Sequence, residues 1–369
     1  MKPMKPSYTP ITTTQAAIMI INYMLGAGIL TLPRTTVEAV NTPDVWISII
    51  ISGVIITFIG FIMVKLCRRF PGKTVFQFVP EITGKWIAMF ISMAIILYFL
   101  IISAFEVRVL AEVTNLYLLE RTPTWAIVMG FMWIGIYLIS GGLNAIVRLF
   151  EIILPITIVI FVIAILLSSK VFEINNLRPV LGEGFMPVIK GLKPALLSYT
   201  GYEIMFVVMA YMKSPEKGFK SVIWGTAIPT MIYLVTVIMV VGSLSINGMK
   251  TRTWPTLDLM RSFEIQGLIF ERFESLLLVI WIMQIFSTFT VTLYGASIGC
   301  AQLFKRKEIL GAMFILVSII YFIAFLPNDV NQTFALGDFL GKVSVCLFAI
   351  LPALLLLLSF VRKKGGQKK

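Results

Sequence analysis

Histidine does not occur anywhere in the 369 residues. That absence excludes imidazole acid–base catalysis, Ser-His-Asp and Cys-His nucleophile systems, and histidine-ligated metals. Cysteine is nearly missing too. Cys67, Cys300 and Cys346 are the only three, none in a CxxC spacing, which points to neither a zinc site nor a disulfide framework but to isolated thiols among apolar neighbours. Charge is scarce as well: 13% of residues are charged, about half the share typical of a soluble chain. An ordinary cytosolic enzyme, a secreted disulfide scaffold and a disordered chain are thereby excluded.

What the chain has instead is apolar sequence in long runs, 58% of all residues, with a mean hydropathy of +0.94. A membrane-crossing helix needs roughly 20 apolar residues. Ten such stretches are bounded by charge and by Pro or Gly: 14–33, 45–64, 86–105, 124–140, 146–168, 188–212, 222–245, 275–303, 309–326 and 338–360. The expected fold is an all-α integral membrane protein of ten transmembrane helices. Lys2 and Lys5 precede the first stretch, and no small-residue cleavage site follows a short apolar core, so span 1 is expected to remain in the protein.

Net charge is +13 and unevenly placed. With both termini on the cytoplasmic side, 19 of the 31 basic residues but only four of the 18 acidic ones fall in cytoplasmic segments. The positive-inside rule accounts for the excess, and nucleic acid is not needed to explain it. Ten spans divide into five and five, and an odd half inserts upside down when duplicated. The expected organisation is a single membrane domain over 1–369. Its first inverted repeat is 1–168, followed by an outer linker at 169–187, a second repeat at 188–361 and a basic cytoplasmic tail at 362–369.

Transporter-like folds of this kind interrupt helices at matching places in the two halves. Span 1 carries Leu25-Gly26-Ala27-Gly28 and span 6 carries Tyr199-Thr200-Gly201-Tyr202-Glu203, so helices 1 and 6 are expected to be broken. The glycines also suit simple close packing of helices. Glu203 stands alone among uncharged neighbours at membrane depth, where a carboxylate costs roughly 3 kcal/mol or more. Meeting a ligand amine, carrying a proton and accepting hydrogen bonds from unwound backbone are all open to it. Tyr98 and Ile102 lie four apart on one face of span 3, lining a cavity or filling a core. Beyond them, Glu106, Arg108 and Glu112 are expected as an ion-pair network at the outer mouth. Span 8 holds Ser287, Thr288, Thr290 and Thr292, whose hydroxyls can ligate sodium or bond back to their own helix. The polar segment at 250–274 has the apolar spacing of an amphipathic helix through Phe263, Leu268, Ile269 and Phe273.

Several motifs in this order resemble the B subunits of nutrient germinant receptors of endospore-forming bacteria. They are Met24-Leu25-Gly26-Ala27-Gly28 with Leu32-Pro33-Arg34, Leu118-Leu119-Glu120-Arg121-Thr122-Pro123, and the stretch from Asn175 to Gly184. Trp254-Pro255-Thr256, Phe270-Glu271-Arg272-Phe273-Glu274-Ser275 and Leu326-Pro327-Asn328-Asp329 complete the set. The resemblance spans essentially the whole chain. It implies the amino acid/polyamine/organocation superfamily and its five-plus-five fold, and a small nutrient such as an amino acid as ligand. It further implies the spore inner membrane and, as partners, an A-type membrane subunit and a C-type lipoprotein. Carried over by position, the ligand residues are Gly26, Ala27, Gly28, Tyr98, Ile102, Thr200, Gly201, Glu203 and Thr288, with Thr200 tuning ligand size and polarity. Ser287 and Thr288 are the candidate cation residues. No catalytic residue, metal or cofactor is expected. A sodium- or proton-coupled amino acid transporter is the competing function.

Overall fold

The computed structural model describes residues 9–261, 273–306 and 308–365, with side chains described outside 260–277. Among the described residues the chain is helical, with no strand beyond a single bridge between Ile11 and Met212. The helices are α1 (Thr13–Met24), α2 (Gly28–Val40), α3 (Val45–Arg68), α4 (Val75–Thr83), α5 (Lys85–Tyr117), α6 (Thr124–Ser140), α7 (Gly142–Ser168) and α8 (Met186–Ser198). They continue through α9 (Met205–Val208), α10 (Gly218–Lys250), α11 (Pro255–Arg261), α12 (Phe273–Leu303), α13 (Leu310–Ala324), α14 (Val330–Ser344) and α15 (Leu351–Val361).

Six of the described helical stretches are long and apolar enough to cross a membrane. The pair α1 and α2 meets that criterion only together, bent by 54° at the break between them, and α6, α13 and Tyr202–Tyr211 are shorter. The chain is an integral membrane protein. Exposed Ile152, Ile156, Val159 and Leu166 on α7 are at home in hydrocarbon, where an apolar surface needs no partner. The most apolar window of α7 is 28% buried, whereas that of α12 is 78% buried. This contrast makes α12, with its Ser and Thr residues, a central post, and α7 a lipid-facing one.

Local chemistry explains the helix ends. Thr12 and Gln15 form a reciprocal cap on α1, each side chain accepting from the other's backbone N–H. Just before it, the Ile11 amide donates to the Tyr211 carbonyl at 2.9 Å, and the Lys213 amide donates to the Ile11 carbonyl at 2.8 Å. These two bonds tie the start of α1 to the end of the Tyr202–Tyr211 segment. Pro33 within α2 has no N–H, which frees the Ile29 carbonyl to accept from the Thr256 hydroxyl at 3.4 Å. Arg69 donates to the carbonyls of Ser359 and Lys364, so the C-terminal ends of α3 and α15 lie side by side.

Several expected boundaries shift. The helix expected to end at 105 continues to Tyr117, because its charged positions find partners: Glu106 takes the Ala27 amide, and Arg108 pairs with Glu112 at 2.8 Å. Residues 169–187 are largely irregular with two short 3-10 turns, pinned where buried Asp44 accepts from the Leu181 amide at 2.8 Å. The tenth apolar stretch starts earlier, at Val330, and passes through a π-helical segment, Val345–Ile350. Cys67 is buried, but Cys300 is half-exposed and Cys346 exposed, since apolar helix faces outside the core meet lipid rather than protein. The expected amphipathic helix is helical from Pro255 to Arg261. Phe263, Leu268 and Ile269, and the motif residues 270–272, lie outside the described residues.

Candidate ligand-binding site

Backbone polar groups freed inside a bilayer must find partners within the protein. The interruption at Leu25–Ala27 meets that demand one group at a time. The Tyr23 carbonyl accepts from the Thr288 hydroxyl at 2.9 Å, the Met24 carbonyl from the Tyr233 hydroxyl, and the Gly26 carbonyl from the Trp281 indole at 3.1 Å. The Ala27 amide, at the start of α2, donates to both carboxylate oxygens of Glu106 at 3.1 and 3.3 Å. Three helices thus reach in to hold one break. A carboxylate at a helix N-terminus also meets the positive end of the helix dipole.

The second interruption follows α8. Tyr199 ends that helix, Gly201 takes φ +145°, and a 3-10 turn over Tyr202–Ile204 resumes the chain. The Ser198 carbonyl accepts from the same Tyr233 hydroxyl, at 3.1 Å, so one tyrosine of α10 touches both breaks. Glu203, wholly buried, folds back on its own turn. Its Oε2 accepts from the Gly201 amide at 2.6 Å, and its Oε1 accepts from the Tyr23 and Tyr98 hydroxyls, each at 3.0 Å.

The breaks are in direct contact, and glycine is what permits it. A β-carbon on Gly201 would stand 2.9 Å from the Met24 amide nitrogen, in a backbone conformation that side chains rarely adopt. One on Gly26 would collide with the Thr288 hydroxyl and sit 3.0 Å from both Glu106 oxygens. One on Gly28 would stand 2.7 Å from the Tyr233 hydroxyl and 3.0 Å from the Ser198 carbonyl.

Beside the junction is a cavity lined by α2, α5, α8 and α14, with Glu106 and Thr200 among its polar walls. It adjoins, through Thr35, Pro194, Leu197, Phe334 and Asp338, an outer opening lined by Arg34, Glu38, Lys190 and Lys193. Arg34 pairs with Glu38 at 2.9 Å, while Lys190 and Lys193 make no ion pair among the described residues. Tyr98, one turn of α5 before Ile102, packs in an aromatic cluster: its ring centroid lies 4.8 Å from that of Phe348, and Phe206 is 6.0 Å from Phe348. The described residues contain no group of three Cys, Asp or Glu able to hold a metal.

The residues singled out from the sequence fall into three places. Gly28, Ile102 and Thr200 line the cavity. Gly26, Ala27 and Thr288 lie behind Glu106 at the first break. Tyr98, Gly201 and Glu203 form the hydrogen-bonded turn of the second. Ser287 stands apart, its hydroxyl donating to its own helix at Met283, 2.9 Å away. Thr290 and Thr292 likewise bond back to their own helix.

Glu106 is the correction. Expected in an outer ion-pair network, it is 4% exposed, caps α2 and faces the cavity, while Arg108 and Glu112 alone form the pair. The sequence did hold a signal: Tyr98, Ile102 and Glu106 follow one another at intervals of four along a single helix face. Tyr233 and Trp281 carried no such signal, since only the tertiary fold brings their polar tips to the broken span.

The architecture is that of helical membrane transporters. It is similar to the crystal structure of MhsT in complex with L-phenylalanine, with a TM-score of 0.71 and 11% identity over 94% of this chain and 88% of that one. Mhp1, a nucleobase-cation-symport-1 family transporter solved in a closed conformation with bromovinylhydantoin bound, gives a TM-score of 0.73 and 14% identity, covering 98% of this chain and 82% of that one.

Sequence then narrows the class. The family described as spore germination protein matches residues 10–333. Spore germination protein YndE of Bacillus subtilis (strain 168) is 53% identical over 355 residues, covering 96% of this chain and 98% of that protein. Spore germination proteins A2 and B2 of the same organism are 39% and 32% identical, each over at least 98% of both chains. The chain belongs to the spore germination protein family, a family of germinant-receptor and permease-like membrane proteins rather than of enzymes.

Proposed function

We propose that the chain is the nutrient-sensing B subunit of a spore germinant receptor, taking a small amino acid into the cavity between the two breaks. The observation that carries this reading is Glu106. Of the four side chains capping the first break, it alone lines the cavity, so it is the cap that an incoming ligand meets. A ligand ammonium pairs with its carboxylate in a site screened from water, and a ligand carboxylate points towards Lys190 and Lys193 at the mouth. Gly28, Ile102 and Thr200 shape the space around the ligand side chain. Gly26, Ala27 and Thr288 come within reach once Glu106 turns towards the ammonium. Tyr98, Gly201 and Glu203 keep the second break in shape behind them. A fold-mate that holds L-phenylalanine supports the choice of ligand class.

In this reading ten spans form two inverted repeats, 1–168 and 188–361, joined by the linker at 169–187. Spans 1 and 6 are broken and both termini, with the basic tail 362–369, face the cytoplasm across the spore inner membrane. Ligand binding favours one arrangement of the bundle by its differential affinity for the two, and A-type and C-type subunits respond to that arrangement. Coupled transport by sodium or protons is the second reading. The observation behind it is that the Thr288 hydroxyl of the cation pair Ser287 and Thr288 sits on a carbonyl released by the break.

Purified full-length protein in sealed liposomes, given labelled amino acids with and without sodium and proton gradients, separates the two. Saturable binding without accumulation in the lumen is expected for a receptor. Gradient-driven accumulation would make it a transporter, and displacement of a bound amino acid by nothing but acidic analogues would overturn the role given to Glu106.

A further inference from the structure

A second cavity lies on the other face of α2. Gly28, Thr31 and Thr35 look into the first cavity, whereas Leu25, Ile29 and Leu30 look into the second, which α7, α10, α11 and α12 complete. Its walls are almost wholly apolar. Most hydroxyls that reach it are already engaged with their own helices: Thr157 donates to Ile153, Ser168 to Ala164 and Thr236 to Ile232. The Trp281 N–H is committed to the Gly26 carbonyl.

Gln284 differs. It lines the cavity at 2% exposure, and its amide nitrogen donates to Thr157 at 2.6 Å, while its amide oxygen has no partner. A buried carbonyl oxygen without a donor is uncommon, and in a ligand-sized apolar space it marks where a donor belongs. We infer that this cavity is a second ligand site, for a small and mostly apolar molecule bearing one hydrogen-bond donor, such as a primary alkanol, with its hydroxyl on Gln284.

The site has a direct mechanical link to the break. Its occupant packs on Leu25 and Ile29 and against Trp281, and Trp281 holds the Gly26 carbonyl, while the other side of Gly26 faces Thr288 and Glu106. An occupant therefore modulates the first site through Gly26; this coupling rests on the function proposed above, but the existence of the site does not.

The test uses full-length protein in nanodiscs with a photoreactive diazirine analogue of n-hexanol and peptide mapping of the label. The expected result is labelling across 161–168 and 239–240. Excess n-hexanol should suppress it at roughly tenfold lower membrane concentration than n-hexane, the worth of one hydrogen bond. Ala164→Phe, which fills the cavity, should abolish that labelling and leave lipid-facing labelling intact. Gln284→Met keeps the volume, removes the acceptor and should erase the preference for hexanol, giving an independent readout if Ala164→Phe folds poorly. Glu106→Gln should leave the labelling unchanged, which separates failure of this site from failure of the first. Equal competition by hexane, or labelling indifferent to both cavity variants, would mean partition into lipid or a bridging water on Gln284, and would overturn the proposal.

Discussion

Two buried carboxylates sit at the two breaks and are held in opposite ways. Glu203 accepts from three donors, one of them its own turn's backbone, and lies outside the cavity. Glu106 accepts from a single backbone amide, shared between its oxygens, and forms part of the cavity wall. A saturated carboxylate stabilises a shape, whereas an under-occupied one beside open space is available to a ligand. Burial alone, 0% against 4% exposed, does not distinguish them; the donor count and the neighbouring space do.

The largest effect should come from breaking the saturated side. Glu203→Ala strands two tyrosine hydroxyls and the Gly201 amide in a dry interior. A loss of roughly 3–5 kcal/mol is expected, read as reduced folded yield and a markedly lower Tm in detergent. Retention of the wild-type Tm would show that the turn holds without its carboxylate. Gly201→Ala should come next. Positive φ and the overlap with Met24 together predict a loss of about 1–3 kcal/mol, also visible in Tm.

Glu106→Gln sharpens the contrast by reversing the balance. The amide oxygen still accepts from Ala27, so Tm should stay within a few degrees, while amino acid affinity falls by about 30-fold with the loss of a charge-assisted bond. A Tm drop matching that of Glu203→Ala would erase the distinction between the two residues. At the mouth, replacing Lys190 and Lys193 by Gln should slow ligand association a few-fold at low salt, with no difference at high salt. Ser287→Ala should do least, under about 0.5 kcal/mol, because its hydroxyl serves only its own helix. Sodium-dependent binding lost in that variant would reinstate it as a cation ligand.

Much of this was readable before any coordinates. Apolar runs set the membrane helices because hydrocarbon demands about 20 apolar residues and admits no unpaired backbone. Gly26, Gly28 and Gly201 marked places where backbone and side chains could approach closely, and helical bonding is interrupted beside them after Met24 and after Ser198. Glu203 announced itself as the lone charge of its span. What the sequence left open was its partners: its carboxylate accepts from the hydroxyls of Tyr23 and Tyr98, 180 and 105 residues distant in sequence.

The tertiary structure decided what periodicity could not. Glu106 was misplaced because charge near a helix end is usually solvated, and nothing local says that the Ala27 amide, 79 residues away, will meet it. Tyr233 and Trp281 look like ordinary apolar-helix aromatics until packing delivers their single donors to freed carbonyls. Composition and spacing therefore determined that this chain crosses a membrane as helices, and marked the glycines beside which helical bonding is interrupted. Which side chains answer each failure, and hence which carboxylate is left facing the cavity, depends on contacts between remote segments and was set by the fold alone.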